Sequence, residues 1–293
     1  MLVTLLDVPY DSAWAHRRMG AGPGHLLERG LEQDLRADHD LERIGLQTSG
    51  DFPTEIHTSF ALYHQLAQQV QAARQRDRFP LTLAGNCGTA LGMTAGLQDR
   101  TLGVLWLDAH GDFHTPETTR SGFLDGMALA TLTGRAWQTL AAAIPGFQAV
   151  SPGRVLHVGG HALETSEQQA MKVAGVHQVS AATVRRLGAA AALEGALRAL
   201  RAEVQQLYVH VDLDVLDARE VGPANAYAAE GGLTTAQVLT VLEQVRPVWP
   251  VVGASIASYD PGSDPQGRVA EAARQIVARL MPGDPSEAGS APP

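Results

Sequence analysis

Short apolar runs alternate along this chain with longer stretches of helical spacing. The runs are residues 2–8, 80–84, 102–107, 155–158, 176–179, 207–211 and 251–256. They lack the polar alternation of a strand with one wet face, so each reads as a strand buried on both sides. Helical spacing covers 61–74, 190–204, 234–245 and 268–280, with Thr234 or Thr235 as the cap of the third stretch. Strands alternating with helices predict parallel pairing. The expected fold is α/β, with three layers (α/β/α) and one mostly parallel sheet between helices. Ligands of such sheets bind beyond the carboxyl ends of the strands. One domain is expected over residues 1–282. Residues 283–293 (GDPSEAGSAPP) have the Gly, Ser and Pro content of a disordered tail.

Composition narrows the function. The 293 residues are 45% hydrophobic and 18% charged, which suits a sizeable core. The net charge is −9 and no stretch is rich in Lys and Arg, which argues against a nucleic-acid partner. Cys87 is the only cysteine, so no internal disulfide exists. The first residues lack a basic segment followed by a long apolar one, and no run approaches the roughly 20 apolar residues of a membrane span. A cytoplasmic protein without a membrane partner is expected.

Several acids gather in two windows. Asp108-Ala109-His110-Gly111-Asp112 directly follows the run ending at Leu107, and Asp212-Leu213-Asp214 follows the run ending at Val211. In extended backbone alternate side chains share a face, so Asp108, His110 and Asp112 are expected to converge at a strand end. Buried carboxylates without a partner are costly, by several kcal/mol even after relaxation. Carboxylate oxygens with an imidazole suit a divalent ion such as Mn, Zn or Fe. Four carboxylates and one histidine suffice for two ions about 3.5–4 Å apart, an arrangement that yields a hydroxide nucleophile at neutral pH.

Residues 106–112 (WLDAHGD) and 211–217 (VDLDVLD) resemble the two aspartate motifs of the ureohydrolase superfamily of arginases, agmatinases and formiminoglutamases. Residues 8–11 with 18–23, 121–127 and 231–234 are similar to further segments of that family. The resemblance implies an arginase-like sheet of about eight strands and a pair of Mn ions. It implies metal ligation by Asp108, His110, Asp112, Asp212 and Asp214, with Asp108 and Asp212 shared between the ions. It also implies attack by a bridging hydroxide on a guanidino-type carbon, and proton transfer by Asp112 to the leaving amine. Urea or a related amide would depart. His110 joins Asp112 as an expected catalytic residue, and His114, Ser121, Asp125, Glu164 and Ser258 fall on the substrate side. A homo-oligomer, trimeric or hexameric, is expected.

Three positions depart from the family pattern. Residues 84–88 (AGNCG) place Cys87 where the family has a metal-binding histidine, and a thiolate is a softer ligand than imidazole. Asp125 stands where the family often has histidine, and Ser258 where it usually offers a glutamate to the guanidinium. Asp125 or Glu164 would then supply the missing charge, or the substrate would be less basic, such as a hydroxyguanidine. A member that has lost hydrolysis, and a single-zinc deacylase, are the competing readings. The latter would leave Asp112 and Asp214 without a role.

Other signals carry less. Residues 20–24 (GAGPG) read as a turn, not as a dinucleotide loop. His57, His64, His157, His161 and His177 lack ligand-like spacing. His210, two residues before Asp212, is read as lying behind the ligands.

Overall fold

The computed structural model describes residues 1–48 and 54–281. The tail expected from residue 283 onward lies outside the described residues. Eight strands form one sheet: β1 (Leu2–Val8), β2 (Asp40–Gly45), β3 (Phe79–Ala84), β4 (Leu102–Asp108), β5 (Val155–Gly159), β6 (His177–Ser180), β7 (Gln206–Asp212) and β8 (Val251–Ala257). Their order is β2-β1-β3-β8-β7-β4-β5-β6. Every neighbouring pair is parallel.

Period-two alternation divides the sheet's side chains between two cores. Leu105, Leu107, Val209 and Val211 pack with helices α4 (Ala189–Leu200), α5 (Thr235–Val245) and α6 (Arg268–Leu280). Val104, Trp106 and Tyr208 pack with α1 (Glu55–Gln75), α2 (Ala90–Leu97) and α3 (Thr165–Ala174) on the opposite face. Helices thus cover both faces, and the architecture has three layers.

The apolar runs marked seven of the eight strands, to within a residue or two. The exception is the edge strand β2, whose residues Asp-Leu-Glu-Arg-Ile-Gly carry charges. Arg43 pairs with Asp7, and Glu42 with Arg76. Charged edges of this kind deter pairing with a further strand. Helix α4 ends at Leu200, four residues before the predicted end, because the chain must turn back into β7. The polar helix α3 buries only Glu167 and Met171, so its apolar stripe is too thin to read. Thr234 caps α5 and forms a reciprocal capping box with Gln237. The expected turn at residues 20–24 is instead helical, with Pro23 in the first turn of helix Gly22–Leu26.

Gly85 leaves β3 under the backbone of Tyr10. A Cβ there would lie 2.1 Å from the Tyr10 carbonyl oxygen. Gly85→Ala is therefore expected to cost about 1–3 kcal/mol, read as a lowered chemical-denaturation midpoint. Gly24→Ala, with nothing within 4 Å of its Cβ, should be neutral or slightly stabilising.

Candidate metal centre and substrate cavity

The carboxyl ends of the central strands β3, β8, β7 and β4 deliver the chemistry-bearing residues to one place. Leu107 pairs with Val211 across β4 and β7, so Asp108 and Asp212 end adjacent strands side by side. Each then organises the turn after it. Asp108 Oδ1 accepts the His110 backbone N–H at 2.7 Å, and Asp212 Oδ1 accepts that of Asp214 at 2.8 Å. The convergence of Asp108, His110 and Asp112 does not come from extended backbone as the spacing suggested. The strand stops at Asp108, and Asp112 adopts a left-handed φ of 48°. Glu167 braces this turn by accepting the Phe113 N–H at 2.8 Å.

Two groups of side chains could hold a metal ion: Cys87, Asp108 and Asp212, and Asp108, His110 and Asp214. In each group the donor atoms lie within 4.8 Å of one another, and Asp108 belongs to both. His110 Nδ1 sits 3.2 Å from Asp214 Oδ2 and 3.7 Å from Asp108 Oδ1. The Cys87 thiol donates to Asp212 Oδ2 at 2.9 Å and lies 3.3 Å from Ser258 Oγ. Asp112 belongs to neither group, but is buried and lines the adjoining cavity.

The electrostatics follow from burial of like charge. Burial, then Asp108, Asp125 and Asp212, hold the Asp112 carboxyl well above the usual range. Burial, then Asp214 and Asp108, do the same to Asp212. Burial raises Asp108 to about 6, against the opposing His110 bond. Burial works against charge on His110, but Asp108 and Asp214 outweigh it and push it up to about 12. Burial pushes Asp214 up, but the hydrogen bond and charge of His110, with the bonds from Asp212 and the Ala109 N–H, together hold it below the usual range. Burial and Asp212 push the Cys87 thiol up.

A cavity of about 330 Å³ opens above this cluster. It brings together His110, Asp112, His114, Ser121, Asp125, Glu164, Asp212, Asp214 and Ser258, nearly all of the residues expected from the sequence. His114 Nε2 lies 3.7 Å from Glu164 Oε1. Ser121 is exposed, and its hydroxyl accepts the Phe123 N–H at 3.1 Å. Asp125 is committed differently than expected. Its oxygens accept Asn86 Nδ2 at 3.0 Å and the N–H groups of Cys87 and Gly88 at 3.0 and 2.8 Å. It therefore fixes the Cys87 turn, which competes with a role as free partner for a guanidinium. Burial still raises its carboxyl to about 7.

Sequence reasoning missed Phe123, Glu167, Asn225 and Tyr227 in the lining. Phe123 and Tyr227 stack with ring centroids 5.6 Å apart, bridging two loops. Asn225 donates to the Ser258 carbonyl at 2.7 Å. Phe123, Asn225 and Tyr227 lie in loops and Glu167 on helix α3, and none sits in a chemical motif that spacing alone would reveal. His157, which lacks ligand-like spacing, bonds the His110 carbonyl oxygen at 2.5 Å.

A parallel α/β sheet with two carboxylate-rich ligand groups sharing one aspartate at its central strand ends defines a metal-hydrolase type of architecture. The family model described as the arginase family matches residues 2–282, and the chain belongs to that family. It is 28% identical to the arginase of Bacillus caldovelox over 293 residues, covering 95% of this chain and 97% of the relative. It is 26% identical to that of Bacillus subtilis over 290 residues, covering 95% and 97%. A crystal structure of Bacillus subtilis arginase superposes with a TM-score of 0.86 at 25% identity, covering 97% of this chain and 100% of that one. Among the described residues no helix is long and apolar enough to cross a membrane.

The raised carboxyls make the site's stability depend on pH and metal together. Without metal, a folded-state pKa above the unfolded value gives stability that is present at low pH and lost as pH rises through about 4–7. A divalent ion replaces those protons. The melting-temperature gain of metal-loaded over chelated protein should therefore be larger at pH 8 than at pH 5. A gain equal at both values would contradict metal binding at these carboxylates.

Proposed function

We propose that this protein hydrolyses a C–N bond in a guanidino-type compound with the aid of two divalent ions at the cavity floor. The observation that carries this reading is Asp108, common to both ligand groups, whose fellow members His110, Asp212 and Asp214 line a substrate-sized cavity. The donor set fits a metal. Its carboxylates are buried and, without a cation, hold protons well above the normal range. Cys87, Asp108, Asp112 and Asp212 would hold one ion, and Asp108, His110, Asp212 and Asp214 the other. An oxygen-rich set suits manganese, while the softer Cys87 should weaken one site toward manganese or favour another ion. When bound, such a pair supplies a water nucleophile activated at neutral pH.

The chain's own residues do the rest. The carboxylates of the lining attract a cationic head group into the cavity. Asp112, on the cavity wall, is placed to take a proton and pass it to the departing amine. His114, Ser121 and Glu164 on the wall would orient the substrate's tail. Ser258 offers a neutral hydroxyl, and Asp125 is occupied with the Cys87 turn. Together these favour a less basic head group, such as a hydroxyguanidine. The arginase relatives support a guanidino-type substrate.

Arginine, hydroxyarginine, agmatine and formiminoglutamate assayed side by side test this reading. Preference for hydroxyarginine is expected, and a clear preference for unmodified arginine would contradict the role given to Ser258. Asp212→Asn should abolish both metal retention and turnover. Cys87→His should retain manganese more tightly, and an unchanged affinity would remove Cys87 from the ligand set. One tightly held zinc per chain would instead favour the single-zinc deacylase.

A further inference from the structure

One pleat beneath the aspartates, the sheet carries a second row of buried side chains. His157, Trp106, His210, Ser255 and Thr82 are register neighbours across β5, β4, β7, β8 and β3. None is more than 1% exposed. Trp106 donates from Nε1 to Asp108 Oδ2 at 2.8 Å. Its ring lies on the His210 imidazole, with centroids 4.0 Å apart and planes inclined by 23°.

His210 is held from its other edge. The Tyr208 hydroxyl donates its one proton to Ser255 Oγ at 2.8 Å and lies 3.3 Å from His210 Nδ1. That assigns the imidazole proton to Nδ1, donating to the tyrosine oxygen. Nε2 is then bare, and it has no partner among the described residues. A buried polar atom without a partner is destabilising, so hydrogen bonding alone does not account for an imidazole here. The stack on Trp106 does.

We infer that His210 is a positioning residue for metal loading: clamped by Tyr208 and stacked on Trp106, it sets the indole whose N–H fixes the Asp108 carboxylate. This rests on the metal centre proposed above. An indole N–H only donates, so it fixes Asp108 Oδ2 as an acceptor while the His110 N–H engages Oδ1. A carboxylate has about four acceptor positions. Two are used in this way, which leaves capacity on both oxygens for the two ligand groups that share the residue. Partners that orient a ligand in this way typically change metal affinity 10–100-fold.

The test is manganese affinity by equilibrium titration, with folding monitored by circular dichroism and cooperative melting. His210→Ala should bind manganese about tenfold more weakly, and Trp106→Phe should do likewise. His210→Phe, which keeps a ring on the indole, should restore most of the affinity. Unchanged affinity in folded His210→Ala overturns the inference but leaves the metal centre standing. Failure of the wild-type protein to bind any divalent ion overturns both. Should the variants not fold, the wild-type protein still decides. Its four tryptophans give four indole N–H resonances, and Phe substitutions at Trp14, Trp137 and Trp249 assign the remaining one to Trp106. Zinc loading should shift the Trp106 signal, and an unmoved signal overturns the inference.

Discussion

The interaction on which this structure turns is the crowding of buried negative charge at the ends of two adjacent parallel strands. Asp108 and Asp212 end β4 and β7 side by side, Asp214 follows in the next turn, and Asp112 and Asp125 close in from the loops. His110 is the one imidazole in the two ligand groups, and it lies against Asp108 and Asp214. Burial leaves these carboxylates little contact with water, and one imidazolium cannot neutralise all of them. Protons or metal ions must take up the remainder. At neutral pH ions are the more effective, because their charge is larger and their coordination satisfies several oxygens at once.

The surrounding fold holds that unstable arrangement in place. Parallel register aligns the two aspartates, and each caps the turn that carries the next acid. Asp125 pins the Cys87 turn through three hydrogen bonds, so one carboxylate is used to place a thiol against another. His157 and Trp106 grip the His110 backbone and the Asp108 side chain from the row beneath. The site is therefore built from two successive pleats of the sheet and not only from the loops above it.

Much of this was legible in the sequence. Apolar runs that end on aspartate mark both the buried strands and the residues they deliver, because a parallel sheet covered on both faces demands continuous apolar runs. The edge strand β2 escaped because its exposed side tolerates charge. The spacing of Asp108, His110 and Asp112 suggested an extended strand, but the strand ends at Asp108 and Asp112 adopts a left-handed φ. Asp125 read as a free charge because nothing in its neighbours reveals that the Asn86–Gly88 turn, distant in sequence, would claim its oxygens. Phe123, Asn225 and Tyr227 lie in loops, whose conformation depends on tertiary contacts that no local pattern encodes.

Anomalous diffraction at the manganese edge, on crystals soaked in manganese, addresses the charge-neutralisation claim most directly. Two peaks flanking the Asp108 carboxylate are expected, one on the Cys87 side and one on the His110 side. An ordered site with no peak beside Asp108, its aspartates in place and unbridged, would contradict that claim.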